Sequence, residues 1–556
     1  MTENKRTIDE YDYYRLALKK REEGYIFESV SLLNNIVDEG SKNMEVLATL
    51  GDVYFEIGLY SLCENAWFKY LSMSVRDDDK IRAYNALGAS FCARNENYLM
   101  SHYFDLEFSL NPKKEQDYDY VLYDLIDYHK ECYPDFYVAY PIEGLSDKNL
   151  FVSANDLLNK GRMEDGMKRL DLVSPNSEDY DDAVYRYSAC MKENGATLEE
   201  IRSYLITKLD RAINKGKIAL YVAETFDREQ AEEQKPYLLL SLEHGLDDPS
   251  DYYILAGFLA RQNEIALSEK ALDESLDLNP FEVRSIYLYG AIYYNEGDYK
   301  TSERYFKMGY DLCRDNVNLF YYNLCRSQSL RADYPQIPLS YSYPEKKAVT
   351  FISQTASLVL SGKTIFKRYD PIELERIADY GLSFPNNLRE DAIKAFIING
   401  TPRLRSFYVS ALLSQNVGNA SKWNIIEALV SIGYNKRLDV VFDGIYIKTK
   451  LYKVSFGTAQ KTVFTNAYAK AVARMLPFSE DLSGVKQTAE HIYYTLERLG
   501  NLDKAVDANA LSAVIAKVTD GKKFSASVLY KLFDTDKKAV GEIMNLLADE
   551  KNEKDN

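Results

Sequence analysis

A 34-residue periodicity constrains this chain more than any other feature. Gly290 is followed by Tyr293, Gly297 and Tyr299, and the stretch 51–60 repeats that layout with Gly51, Tyr54, Gly58 and Tyr60. A period of this length marks stacked supersecondary units, none of which can bury its apolar face alone. Neighbouring units must therefore share one continuous core. The expected fold class is all-α, and the expected mode of action is binding to another molecule.

The clearest copy starts at Val283 and carries Gly290, Tyr293, Gly297, Tyr299, Ser302, Phe306 and Gly309. The copy from Pro249 is in strict phase with it, with Leu255, Ala256, Leu259, Ser268, Leu272, Ser275 and Pro280. Met44 opens another, with Leu50, Gly51, Tyr54, Tyr60, Cys63 and Trp67. Ahead of it Glu10 opens one with Leu16, Ala17, Gly24 and Ser29. A copy from Ile81, with Leu87, Gly88, Phe91 and Pro112, starts three residues late. Weaker copies fall at Asp147, Asp181 and Lys215, where Val222, Glu200 and Gln234 break the small-residue pattern.

On these residues the chain resembles the tetratricopeptide-repeat (TPR) family over about residues 10–331. The resemblance implies two antiparallel helices per repeat. It also implies small residues at positions 8 and 20, where the helices approach and a large side chain would push them apart. The expected architecture is a TPR-type α-solenoid of about eight or nine helix pairs, some degenerate. A helical C-terminal domain with one β-hairpin follows.

Proline and composition set the expected divisions. Residues 1–132 form a first repeat block, 133–146 an irregular break around Pro134 and Pro141, and 147–331 a second block. Residues 332–344 (ADYPQIPLSYSYP) read as a proline-rich linker, and 345–556 as the helical C-terminal domain. That last part resembles HEAT-type helical repeats only weakly. Within it, residues 438–454 carry β-branched and aromatic runs flanking Asp443-Gly444, a two-residue hairpin signal. Alternation puts Ile445, Ile447, Thr449 and Leu451 on one face. Tyr446, Lys448, Lys450 and Tyr452 fall on the other, a possible second contact surface.

Charge bears on the partner. The chain carries a net −17, yet residues from 345 onward hold 30 Lys and Arg against 24 Asp and Glu. The remainder is therefore strongly acidic, which favours a basic or neutral protein partner there and disfavours a nucleic-acid backbone. Six cysteines without CxxC spacing point to reduced thiols. The first residues lack an apolar leader core, and no long uncharged apolar run occurs, so a membrane partner is not expected. The resulting expectation is a cytoplasmic, bacterial adaptor.

No catalytic constellation emerges. His102, His129, His244 and His491 lack metal-ligand spacing. Ser361-Gly362-Lys363-Thr364 matches the end of a phosphate loop, but position 357 is Ser where that motif needs Gly. No cofactor, metal or enzymatic activity is expected.

The resemblance implies that helix-A residues at positions 2, 5, 9, 12 and 13 line a concave groove. Position 5 reads Tyr14, Phe151, Tyr185, Tyr253, Tyr287 and Tyr321, with Tyr294 at 12 and Arg261 at 13. This is an inner aromatic ladder suited to a peptide or partner helix. The residues by which some family members clamp a terminal carboxylate are absent. Two other readings stay open: a peptide-sensing regulator contacting nucleic acid through its mildly basic C-terminal domain, and an enzyme with a site in that domain.

Overall fold

The computed structural model describes residues 10–94, 96–111, 147–159, 162–342, 371–382, 386–478, 481–520 and 526–553. The expected break at 133–146, with Cys132 and His129 beside it, lies outside these residues, as does the segment 361–364.

In chain order the helices are α1 (Glu10–Glu22), α2 (Ile26–Asp38), α3 (Met44–Glu56), α4 (Tyr60–Met73), α5 (Asp77–Ala93) and α6 (Asn97–Leu110). Next come α7 (Asp147–Asn159), α8 (Met163–Leu170), α9 (Tyr180–Glu193), α10 (Leu198–Leu209), α11 (Lys215–Ala223) and α12 (Ala231–His244). They continue as α13 (Pro249–Arg261), α14 (Ile265–Leu278), α15 (Val283–Glu296), α16 (Tyr299–Cys313), α17 (Asn316–Arg326) and α18 (Gln328–Asp333). The remainder holds α19 (Pro371–Gly381), α20 (Asn386–Asn399), α21 (Pro402–Ala411), α22 (Asn419–Ser431), strands β1 (Arg437–Phe442) and β2 (Ile445–Lys450), and α23 (Lys461–Met475). The chain closes with α24 (Ser483–Arg498), α25 (Ala508–Asp520), α26 (Ala526–Phe533) and α27 (Lys537–Glu553). Among the described residues, no helix is long and apolar enough to cross a membrane.

Position 8 explains why the pairs form where the period puts them. A Cβ built on Gly290 would lie 2.8 Å from Phe306, and one on Gly88 would lie 2.8 Å from Phe104. On Gly51 it would lie 2.5 Å from Trp67. Position 8 therefore meets the aromatic at position 24, rather than position 20 alone. Position 20 has a different task. The hydroxyls of Ser29, Ser268 and Ser302 donate to the carbonyls of Ala17, Ala256 and Gly290 at 2.8, 2.8 and 2.7 Å, tying helix B to helix A. The weak copies differ at position 20. Gln234 reaches Ala223 O at 2.8 Å, and Glu200 is the capping-box acid of Thr197 at the start of α10.

Two compact units result, and they do not follow the chain order expected from the sequence. One joins the first helix pair to the described residues from 147 to 342. Within it α2 packs on α16: Asn34 donates to Leu312 O, and Arg314 donates to Ser31 O and Asp38. The Phe27 and Phe281 rings meet at a 40° tilt with centroids 4.9 Å apart.

The other unit holds described residues 40–111 together with those from 371 onward. Its core centres on α22, α23 and α25, where Ala467, Ala471, Ala510 and Ala513 are fully buried and let the helices approach. Strands β1 and β2 pair antiparallel, with Phe442 opposite Ile445. Asp443 and Gly444 have φ of +46° and +79°, as a type I′ turn demands. The turn seats on α6 within this unit: Tyr103 Oη donates to Gly444 O and accepts from Tyr446 N. Lys422 is buried there, donating to Val441 O, and desolvation lowers its pKa to about 8.

Two predictions follow from this packing. Gly290→Ala forces the Phe306 ring aside and should cost about 1–3 kcal/mol. Adding Phe306→Leu, which recreates the Ala256/Leu272 pairing of the preceding copy, should recover most of it in thermal unfolding. Lys422→Met should stabilise its unit at pH 7 by about 1–3 kcal/mol. A folded pKa below the unfolded value means that the unfolded state binds more protons between about pH 8 and the ordinary lysine value of 10.5. Wild-type stability therefore rises with pH across that window, and the advantage of Met shrinks, as melts at pH 7 and 9.5 would show.

Candidate functional site

The inner ladder is built by helix geometry: position 5 recurs on the same face of each helix A. Three of its tyrosines and their neighbours hold a segment of the chain itself. Residues 334–342, within the stretch expected to be a linker, lie as a strap without helix or strand, bent at 335–336 and 339–341, along α13, α15 and α17. Tyr287 Oη donates to Pro338 O at 2.9 Å, Tyr294 Oη to Tyr334 O at 2.6 Å, and Tyr321 Oη to Ser342 O at 3.0 Å. Tyr341 N donates to Tyr253 Oη at 3.0 Å. The Asn295 side chain takes both polar groups of Ile337, donating to its carbonyl at 3.0 Å and accepting from its N–H at 2.8 Å.

All six bonds go to the strap's main chain. A segment outside helix and strand has few internal partners for its N–H and C=O groups, so a receiving surface must supply them. Side chains anchor the strap at alternate positions: Ile337 is 5 % exposed, Leu339 packs against two core clusters, and the Tyr341 ring meets Tyr287 edge-on at 5.1 Å. The phenols act as donors across the accessible pH range. Burial raises Tyr287 well above the usual phenol value and Tyr294 to about 12.

The other predicted positions are placed as follows. Tyr14 on α1 and Phe151 on α7 are half-buried, Phe151 against the cluster of Leu150 and Ala154. Tyr185 on α9 is exposed, its ring 4.3 Å from that of Tyr221, and it feels the carboxyls of Glu224, which burial raises to about 7, and Asp251. Burial raises Asp251 to about 6, with Asp248 adding to the effect and Lys217 opposing it. Arg261 is exposed over the Phe258 ring at 4.6 Å. It lines a cleft of about 700 Å³ whose wall includes the strap from Gln336 to Ser340.

The possible second face on the hairpin divides. Lys448 and Lys450 are exposed, whereas Tyr446 is half-buried and donates to Asp439, and the Tyr452 carbonyl accepts from Tyr468. Tyr446 is thus tied within its unit at both ends, its hydroxyl to Asp439 and its N–H to Tyr103.

Sequence reasoning missed Asn295, Gly257 and the strap. A Cβ on Gly257 would lie 3.9 Å from Leu339 O, so the strap crosses position 9 as well. The available signal was alternation: Ile337, Leu339 and Tyr341 at period two read as an extended segment with one buried edge. The neighbouring prolines drew the reading to a linker. Among the described residues, no group of His, Cys, Asp and Glu could hold a metal ion.

No family model matches the chain, and no curated protein matches it in sequence. Solved structures to which it is similar include Cut9–Hcn1 of the APC/C hetero-tetramer, at 11 % identity and TM-score 0.22, covering 95 % of this chain and 96 % of that one. Yeast Tom70 is similar at 11 % identity and TM-score 0.20, covering 98 % and 96 %. Naa15/Naa10 bound to HypK is similar at 12 % and 0.19, covering 97 % and 88 %. Likeness at these scores carries no weight beyond what the helix pairs themselves show. The described residues form TPR-like helix pairs, with a further set of helices around one hairpin.

Asn295→Ala should leave Ile337 N–H and C=O without their partner. Loss of one or two such bonds, each worth about 1 kcal/mol, should speed amide exchange at 337–341 by about tenfold while the helices stay protected. Hydrogen exchange resolved by segment checks this.

Proposed function

We propose that this protein is an interaction scaffold whose inner ladder holds an extended segment of a partner protein. One observation carries the reading: the ladder already grips a segment outside helix and strand, its own residues 334–342, through main-chain hydrogen bonds. A surface that satisfies the backbone of one extended segment can do so for another, with apolar pockets at alternate positions setting preference. Toward α9 the ladder is open. Exposed Tyr185 and the carboxylates of Glu224 and Asp251 favour a basic residue next to the apolar stretch. The partner is therefore a basic or neutral protein segment, and binding requires no cofactor. A cytoplasmic setting suits the free thiols among the described residues, Cys63, Cys92, Cys190, Cys313 and Cys325.

A second reading has its own observation. In the unit that contains the hairpin, a cleft of about 920 Å³ is lined by Lys69, Arg405, Lys436 and Arg437 against Asp439. An anionic partner, nucleic acid included, suits that cleft. A salt-sensitive gel shift by the full chain, lost on Lys436→Glu with Arg437→Glu, would support it. No shift at low salt would end it.

The ladder reading is tested by selecting peptides from a displayed library on the full chain. Selected peptides should carry Lys or Arg beside an extended apolar stretch. Tyr185→Ala with Asp251→Asn should weaken them at least about tenfold, the loss of a contact worth roughly 1.4 kcal/mol. Peptides that bind the substituted chain equally well would remove the ladder from the function.

A further inference from the structure

The strap occupies the most enclosed part of the surface assigned above to a partner, and this has a consequence for access. Ile337, Leu339 and Tyr341 fill the ladder's apolar positions, and six hydrogen bonds consume the donors and acceptors of Tyr253, Tyr287, Tyr294, Asn295 and Tyr321. No second extended segment can use those groups while the strap is in place. We propose that the strap is an internal stand-in for the ligand: the ladder takes from a partner an extended, proline-containing segment with aliphatic residues two apart and a following tyrosine, and it does so by displacing residues 334–342.

Three features favour displacement over a purely structural strap. Most polar contacts go to main-chain atoms, which other segments also present, while the seats of Ile337, Leu339 and the Tyr341 phenol, which accepts from Asn318, set the preference for aliphatic residues two apart and a following tyrosine. The strap's outward side is solvent-exposed at Pro335, Gln336, Pro338 and Ser340, so it is held along one edge and is not enclosed by the fold. Its prolines restrict the backbone to extended conformations before it docks, which lowers the entropy lost on binding and on rebinding. The tether is short, because α18 ends at Asp333 and the strap's first contact is Tyr334.

A short tether fixes the balance. A cis segment sits at an effective concentration of roughly millimolar. If the free segment binds at about 10 μM, the strap is docked about 100 times as often as not, and a partner's apparent affinity falls about 100-fold. A partner therefore engages the enclosed ladder only when it binds more tightly than the strap or when the strap is drawn away.

This rests on the ladder being a partner site, and the test separates the two ideas. The probe is a fluorescent peptide of residues 332–342, measured by anisotropy against the full chain and against the full chain carrying Ile337→Asp with Leu339→Asp. The substituted chain should bind the peptide at least about tenfold more tightly than wild type, and its affinity should fall again when Tyr253→Phe and Tyr321→Phe are added. Helical circular dichroism and the melting temperature establish that the substituted chain is folded. If it is not, Ile337→Ser alone loosens the strap with less disturbance and should give the same ordering at smaller amplitude. Equal affinity for both chains overturns the gate and leaves the ladder standing as a site. No binding to the loosened chain up to millimolar peptide overturns the proposal, and peptides selected as described above then decide whether the open end near Tyr185 functions alone.

Discussion

Close approach of two helices at one backbone position governs the repeat half of this molecule. Where position 8 is Gly, position 24 is aromatic: Gly51 with Trp67, Gly88 with Phe104, Gly290 with Phe306. Where position 8 is Ala, position 24 is Leu, as in Ala17 with Leu33 and Ala256 with Leu272. The summed volume is held roughly constant, as close packing requires. The ladder depends on this contact, since position 5 lines up from repeat to repeat only if each helix A lies at the same distance from its own helix B. A few tenths of an ångström lost at Gly290 would shift Tyr287 and Tyr294 together.

Position 20 refines the same contact and separates the copies. The first copy and those from Pro249 and Val283 carry Ser there, and each hydroxyl bonds the position-8 carbonyl. All three belong to one compact unit. The copies from Met44 and Ile81 carry Cys63 and Met100 at that place and belong to the other. Sequence order would join the first copy to the second. The polar bond at position 20 instead marks the first copy as kin to those from Pro249 and Val283, and α2 packs on α16 through Asn34 and Arg314.

What could be read from the sequence follows the range of the interactions involved. Helix pairing depends on contacts within about 34 residues, so the period exposed it, and the weak copies at Asp147, Asp181 and Lys215 still form pairs. The hairpin was legible because Asp443-Gly444 sets its turn locally, while the seating of that turn depends on Tyr103, more than 300 residues away. Ladder tyrosines were legible as a face and not as occupied. Tyr287 and Tyr321 are fully buried partly because of residues about 20 to 50 positions later, and the Asn295 bonds to Ile337 span 42. A side chain bonding a distant main chain leaves no periodic trace, since the main chain is the same at every residue.

The strap also changes what the tyrosines mean. A ladder of exposed phenols would be an apolar surface with loose hydroxyls, prone to non-specific association. With the strap seated, the hydroxyls are satisfied and the rings covered, so the same residues that suit the surface to an extended ligand also keep it closed to unsuitable ones. Tyr at position 5 serves packing between repeats and recognition on the groove side at once, because the ring is held by its neighbours while the hydroxyl bonds the strap's main chain. Removing a hydroxyl alone therefore separates recognition from folding, whereas removing a whole ring cannot.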